Sequence, residues 1–135
     1  MNRLEKIKNQ FSDLKIDSFI VKNLANIRYI SGFSGSAANI LITKEANHFI
    51  TDFRYKSQSS EEVGSDFAIL VYLQNSMLFL KDMIHKHNLK RIGFESNFLT
   101  YNETENLRKE FSEVEFVPVD SLIENIIICK NENEI

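Results

Sequence analysis

The chain has 135 residues, of which 43% are hydrophobic and 26% charged, and its formal net charge at pH 7 is -3. A chain of this length forms one compact domain, and its composition is that of a globular protein rather than a disordered one. The acidic balance argues against a nucleic-acid-binding module, because such a module needs a basic surface.

Membrane insertion and secretion are also disfavoured. No apolar run approaches the roughly 20 residues that cross a bilayer, and residues 1–8 lack the apolar centre of a signal peptide. The single cysteine, Cys129, excludes an internal disulfide, and its apolar neighbours favour a buried, inert thiol over a nucleophile. These features predict a cytoplasmic protein with no membrane association.

The first half of the chain predicts one helix, one buried strand and a hairpin. Apolar residues recur at steps of three and four over residues 2–15, which is typical of a helix. The short apolar run 18–21 indicates a buried strand. After a predicted loop over residues 22–38, segments 39–43 and 48–51 indicate two strands, close enough in sequence to pair as an antiparallel hairpin.

The second half alternates strands with helices. Thr100 and Glu103 form a capping-box pattern that opens one of these helices. The alternation predicts an α/β layered domain with helices on both faces, and the early hairpin predicts a mixed sheet. The predicted strands cover residues 67–72, 91–95 and 114–117, and the predicted helices cover 77–87, 100–110 and about 121–129.

Metal binding is not expected in this chain. His85 and His87 lie two residues apart on a predicted helix, so they point to different faces. His48 lies in a predicted strand among apolar residues, and the sequence contains neither HExxH nor a cysteine pair.

The glycine-rich segment 31–36, Ser-Gly-Phe-Ser-Gly-Ser, has two interpretations. Its backbone N–H groups could cradle a phosphate, but the lysine of a P-loop is missing and a strand is expected to follow. It does not match the Gly-x-Ser-x-Gly nucleophile pattern either. The favoured interpretation is that the glycines adopt backbone angles closed to other residues.

Asp52 and Glu95 each close a predicted strand. Clustered carboxylates at strand ends hold two metal ions in some nucleases. The alternative, which we favour, is that each acid caps the turn or helix start that follows it.

Four segments carry a resemblance to a known family. Residues 26–36 read Asn-Ile-Arg-Tyr-Ile-Ser-Gly-Phe-Ser-Gly-Ser, and residues 51–55 read Thr-Asp-Phe-Arg-Tyr. Ile-Gly-Phe-Glu at 92–95 is followed by Leu-Thr-Tyr, and the last segment is 123–135. In this order they resemble the creatinase-like N-terminal domain of the pita-bread metallopeptidases: Xaa-Pro aminopeptidases, Xaa-Pro dipeptidases and creatinase. The Gly-Phe-Ser-Gly-Ser form is most similar to the aminopeptidases, known as aminopeptidase P.

The resemblance implies a three-layer α/β/α domain whose mixed sheet has five or six strands in a ribonuclease-H-like layout. Residues 1–128 would form the creatinase-like domain, and 129–135 would begin the linker to a metal-binding catalytic domain that this chain lacks. The chain itself would hold no cofactor, whereas two Mn²⁺ ions would lie in that catalytic domain. Alone, the chain is expected not to hydrolyse peptides.

The resemblance also implies a function and a site. The domain would shape the substrate cleft and the oligomer interface of a cytoplasmic Xaa-Pro aminopeptidase. Its partners would be its own catalytic domain, a second subunit and proline-containing peptides. Arg54 would contact substrate, with Asp52 and Tyr55 as supports, although Phe53 stands where the family has glycine. The alternative for Arg54 is a solvated side chain without a substrate contact. The alternative for the whole chain is a non-catalytic protein-binding module related to metal-free homologues.

Overall fold

A computed structural model describes residues 3–72 and 78–133 of the chain. Its centre is a six-stranded sheet in the order β4-β3-β2-β1-β5-β6. The strands are β1 Ser18–Val21, β2 Ala38–Thr43, β3 Asn47–Asp52, β4 Ala68–Tyr72, β5 Arg91–Glu95 and β6 Glu115–Val119. The helices are α1 Arg3–Lys8, α2 Phe11–Leu14, α3 Leu24–Ser31, α4 Lys56–Glu62, α5 Leu78–His87, α6 Tyr101–Glu110 and α7 Leu122–Asn133, with a 3-10 turn at Phe53–Tyr55.

The direction of the strands determines which residues share an edge of the sheet. Strand β2 runs antiparallel to both of its neighbours, β1 and β3. The pairs β3–β4, β1–β5 and β5–β6 are parallel. Every strand except β2 therefore ends at the same edge, which we call the carboxyl edge, and this edge carries both Asp52 and Glu95.

Alternate residues of the buried strands pack into two core layers, as the two-residue period of a strand requires. Phe19 and Val21 of β1 pack on one face with α1, α2, α3 and α7, whereas Ile20 packs on the other with α5 and α6. Because helices cover both faces of a mixed sheet, the predicted three-layer α/β/α architecture is confirmed.

The predicted helix over residues 2–15 is wrong in one respect, since it is two short helices. Between them the N–H of Gln10 donates to the carbonyl of Ile7, only three residues back, which tightens the turn. The apolar stripe survives the break because Leu4, Ile7 and Phe11 are all buried. Helix α2 ends at Leu14, and the residue that caps it, Lys15, has a φ of 58° in the left-handed region.

The predicted loop over residues 22–38 is also wrong, because it contains α3. Asn23 begins this helix by accepting a hydrogen bond from the N–H of Ala25. The hairpin, β5 and the helix opened by Thr100 and Glu103 are confirmed. Strand β6 is shifted two residues beyond the predicted end, to Val119.

Helix α7 continues past the predicted boundary at residue 128 without interruption to Asn133. The predicted helix start at residue 77 and the last two residues of the 123–135 segment lie outside the described residues. Within residues 3–72 and 78–133, none of the helices has the length and apolar character required to cross a membrane.

Candidate functional site

Asp52 and Arg54 form an ion pair at the carboxyl edge, where β3 passes into the 3-10 turn. Asp52 begins this turn with extended backbone, and its Oδ1 accepts a hydrogen bond of 2.9 Å from the backbone N–H of Arg54. The same carboxylate accepts Nε of Arg54 at 3.1 Å and Nη2 at 2.7 Å. The Arg54 side chain is 70% exposed and that of Asp52 only 10%, so a sheltered carboxylate orients an accessible guanidinium.

In this geometry one edge of the guanidinium donates to Asp52, and another edge is available to donate to a ligand. Nε and Nη2 face the carboxylate, whereas Nη1 makes no hydrogen bond to the described part of the chain. Hydrogen bonds from the Arg54 side chain hold the pKa of Asp52 below its usual value, and the same bonds raise the pKa of Arg54. Both groups are therefore charged at neutral pH.

Tyr55 joins this ion pair to the glycine-rich segment. Its hydroxyl lies 2.5 Å from Oγ of Ser36, a bond that lowers the pKa of Tyr55. Its ring packs edge-on against Phe33, with centroids 5.5 Å apart, and the Arg54 guanidinium carbon lies 5.3 Å from the Tyr55 centroid. The predicted supports of Arg54 thus contact it, Asp52 through hydrogen bonds and Tyr55 through its ring.

The conformational interpretation of the glycine-rich segment is confirmed for Gly32 but not for Gly35, which has no positive φ and is restricted by space instead. Gly32 ends α3 with a φ of 85°, a left-handed conformation that favours glycine. A Cβ on Gly35 would lie 2.3 Å from the Phe33 ring. The backbone N–H of Ser34 donates to Glu62 at 2.8 Å, so a carboxylate of this chain already holds a donor that a phosphate would need.

Phe53 fits the backbone at the position where the family has glycine. Positive φ angles in the described residues occur at Lys15, Gly32, Asn88 and Ser121 but not at Phe53. The Phe53 ring is 62% exposed beside Arg54. The direction of Arg54 is therefore set by Asp52, and glycine is not required.

Glu95 lies apart from Asp52. Three strand spacings separate β3 from β5 in the sheet order, which corresponds to roughly 14 Å. The Glu95 carboxylate is 3% exposed and accepts hydrogen bonds from the N–H groups of Lys22 and Asn23 and from Nδ2 of Asn26. The two acids do not form a two-metal cluster. The capping interpretation is confirmed for Asp52, which begins the following 3-10 turn, but it is wrong for Glu95, whose carboxylate binds the segment after β1 instead of the turn that follows it.

The family resemblance assigns its metal pair to the catalytic domain, not to this chain. Residues 3–72 and 78–133 contain no group of three or more His, Cys, Asp or Glu side chains positioned to hold a metal ion. The two acids at the carboxyl edge already accept several N–H donors each.

Sequence reasoning missed three residues of this region: Asn26, Ser36 and Glu62. Asn26 and Ser36 fall inside a segment that carries the family resemblance, and that was their only signal. Glu62 contacts Ser34 across 28 residues, and no local pattern marks that contact.

Comparison with known proteins agrees with this architecture. The chain matches the Creatinase/Prolidase N-terminal domain family over residues 3–126. It is 35% identical to the Uncharacterized peptidase YqhT of Bacillus subtilis (strain 168), covering 98% of this chain and 37% of that protein. The chain therefore spans little more than a third of that relative.

Two solved structures have the same fold. The Xaa-Pro dipeptidase from Bacillus anthracis superposes with a TM-score of 0.85 at 27% identity, over 92% of this chain and 34% of that one. Aminopeptidase P, an Xaa-Pro aminopeptidase from Streptococcus thermophilus, superposes with a TM-score of 0.81 at 25% identity, over 91% of this chain and 94% of that one. The resemblance carried by the four sequence segments is thus confirmed, and the chain belongs to the creatinase/prolidase N-terminal domain family.

Proposed function

We propose that this chain is the non-catalytic N-terminal domain of a cytoplasmic Xaa-Pro aminopeptidase, where it borders the substrate cleft and contributes to the oligomer interface. Residues 1–128 form the domain, and 129–135 lead to a catalytic domain that holds two Mn²⁺ ions. Family membership, and relatives that are Xaa-Pro peptidases by name, support this assignment. The single cysteine fits a reducing compartment.

Arg54 is the observation that carries the proposed role in substrate binding. Its guanidinium is exposed, yet hydrogen bonds from Nε and Nη2 to Asp52 fix its orientation. A side chain that is already ordered loses less conformational entropy when it binds. The edge with Nη1 presents parallel donors to a peptide carbonyl or carboxylate, which is the recognition that a guanidinium performs best. We propose that it contacts the peptide bound to a neighbouring subunit.

The surroundings suit a contact that depends on geometry rather than on net charge. Asp52 neutralises Arg54, so the pair exerts little long-range attraction on an anionic peptide. Tyr55 packs against the guanidinium and is itself tied to Ser36. Displacement of either support would change the direction of Arg54 without removing its charge.

Mixed oligomers test whether Arg54 serves a neighbouring subunit. Full-length Arg54→Ala subunits are mixed, after dissociation, with subunits inactivated in their catalytic domain. If Arg54 acts across the interface, mixed dimers regain one complete site, built from the intact catalytic domain of one subunit and Arg54 of the other. Activity on an Xaa-Pro peptide should then exceed the sum of the two separate preparations. No gain, in mixtures shown by mass analysis to contain mixed dimers, contradicts a contact across subunits.

A protein-binding module is the second candidate. Three exposed aromatic side chains at or near the carboxyl edge favour it, namely Phe53, Phe98 and Tyr101, which are 62%, 46% and 77% exposed. Aromatic residues are enriched in protein interfaces. The reading frame downstream of this chain separates the two candidates, because only a peptidase encodes the aspartate, histidine and glutamate ligands of a metal centre.

A further inference from the structure

Buried His48 and partly buried His87 meet between β3 and the end of α5, far from each other in sequence. Nε2 of His48 lies 3.0 Å from Nε2 of His87, and the ring centroids are 5.1 Å apart. His48 is 4% exposed, and the His87 side chain is 11% exposed. The rings therefore meet nearly head-on, which leaves space for one hydrogen between the two nitrogens.

The tautomers of the two rings decide which ring donates that hydrogen. Oε2 of Glu45, on a side chain that is 85% exposed, lies 3.8 Å from Nδ1 of His87. With a proton on that Nδ1, His87 accepts at Nε2 and His48 donates its Nε2–H. Nδ1 of His48 is buried and has no hydrogen-bond partner among the described residues, so an added proton there would be an unpaired buried donor.

Charged groups reach the pair from each neighbouring segment. Lys86 precedes His87 on α5, and burial together with the charges of His87 and Lys86 lowers the pKa of His48. A small cavity of about 90 Å³ beside His87 is lined by Lys44 and Glu45 of the β2–β3 turn and by Asp17 before β1. Asp17 already accepts hydrogen bonds from the N–H groups that precede and begin β5.

The described residues do not complete a metal site around the pair. A separation of 3.0 Å would admit an ion lying off the line between the two nitrogens, since a Zn–N bond is about 2.0–2.1 Å. However, residues 3–72 and 78–133 contain no group of three or more His, Cys, Asp or Glu side chains that could hold it. One hydrogen fits between the two Nε2 atoms without any movement of the rings. Two hydrogens do not fit there, because the two N–H donors would then point at each other.

We propose that His48 and His87 form a proton-sensitive latch, which ties the end of α5 to β3 while the pair is neutral and releases it when the pair takes up two protons. The latch joins the strand that ends at Asp52 to the helix that leads into β5. Release frees the end of α5 and the following turn at Asn88, whose φ is 53°.

The sign of the pH dependence follows from the burial of His48. Imidazoles in the unfolded chain take up protons near pH 6.5, whereas burial holds the pKa of His48 in the folded chain below its usual value. The unfolded state therefore binds more protons below that pH. The contribution of the pair to the free energy of unfolding is fully present above about pH 6.5 and is lost as the solution becomes more acidic.

Urea unfolding of the 135-residue chain at pH 7.5, 6.5, 5.5 and 5.0, with EDTA present, tests the latch. We expect the unfolding equilibrium constant to rise below pH 6.5 by about tenfold per pH unit for each proton that the folded pair excludes. His87→Gln should flatten this pH dependence. His85→Gln, an exposed change on the same helix, should leave it intact. Equal pH dependence in both variants overturns the proposal.

Two measurements on the unmodified chain keep the test independent of whether His87→Gln folds. The ¹⁵N signals of His48 should remain those of a neutral imidazole at pH 6, where a reference imidazole is largely protonated. Amide exchange of residues 84–89, corrected for intrinsic rates, should accelerate below pH 6 more than that of α6. A His48 imidazole that titrates like the reference, or equal exchange in both segments, contradicts a latch.

Discussion

The side-chain amide of Asn26 donates a 2.8 Å hydrogen bond to the carboxylate of Glu95, 69 residues further along the chain. The two residues belong to two different segments that carry the family resemblance. The same carboxylate accepts the N–H groups of Lys22 and Asn23, so it joins the turn after β1 to the end of β5. These two motif positions therefore build the carboxyl edge rather than contact a ligand.

Asn26→Ala should lower the free energy of unfolding by about 1–3 kcal/mol, the cost of removing a buried hydrogen-bond partner from a charged group. Asn26 is 3% exposed, so water does not replace the lost donor easily. Urea denaturation measures the change. Asn102→Ala, an exposed substitution on α6, is the matched control and should stay within about 0.5 kcal/mol of the parent. Equal losses in both variants would show that the bond contributes nothing specific.

Gly32 and Gly64 provide a paired test of backbone conformation. Gly32→Ala should destabilise the domain by about 1–2 kcal/mol, because φ is 85° and the new Cβ would lie 3.1 Å from the carbonyl of Glu62. Gly64→Ala places its Cβ in open space and should be neutral or stabilising by up to about 1 kcal/mol. Thermal or urea unfolding of the two variants gives the comparison, and the reverse order would contradict it.

Most of the sheet could be predicted from the sequence because its strands are short apolar runs. The run 18–21 is buried at every position, and the hairpin strands are buried at nearly every position. Helix α3 could not be predicted as readily, since its buried face contains polar Asn26 and Ser31 beside Ile27 and Ile30. Those two polar residues are satisfied by Glu95 and by the carbonyl of Ile27, contacts that appear only when the chain is folded.

The candidate site could likewise be predicted from the sequence only in part. The motif resemblance indicated Asp52, Arg54 and Tyr55 together because they are adjacent in sequence. The contacts of His48 with His87 and of Ser34 with Glu62 span 39 and 28 residues and depend on the order of elements around the sheet. Hydrophobic periodicity contains no information about such pairs.

The 135-residue chain should neither bind Mn²⁺ with micromolar affinity nor cleave an Xaa-Pro peptide. The described residues offer no ligand group of three or more side chains, and the buried acids are already hydrogen-bonded. Titration calorimetry with Mn²⁺ and a peptide assay by mass spectrometry are the measurements. Tight binding together with turnover would require a metal centre that the described residues do not form.

Acid should weaken the ion pair between Asp52 and Arg54. The pKa of Asp52 in the folded chain lies below its usual value of 3.8 because Arg54 donates to the carboxylate. The stabilisation is therefore complete above about pH 4 and is lost as the pH falls through the lower, folded pKa. A ¹³C titration of the Asp52 carboxyl should show a depressed midpoint, and Arg54→Ala should move it upward. An unchanged midpoint would mean that the ion pair is not formed in solution.

The proposed role of Arg54 predicts a kinetic loss without unfolding. In the full-length enzyme, Arg54→Ala should reduce kcat/KM for an Xaa-Pro peptide by about ten- to hundredfold, the effect of losing a charge-assisted hydrogen bond. Stability should change little because the side chain is 70% exposed. Arg108→Ala, which removes an arginine paired with Glu105 on α6, is the matched control and should leave the kinetics nearly unchanged.

Arg54→Lys separates geometry from charge. An ammonium retains the charge but cannot hold Asp52 along one edge and the peptide along another, so the lysine variant should recover little activity. Asp52→Asn retains Arg54 but removes the carboxylate that orients it, and it should lose activity while the charge remains. If Arg54→Lys restores activity fully, the contact is electrostatic rather than directional. If Arg54→Ala has normal kinetics and a normal oligomeric state, the Asp52–Arg54 pair serves only to shape the turn after β3, and substrate contacts must come from other residues.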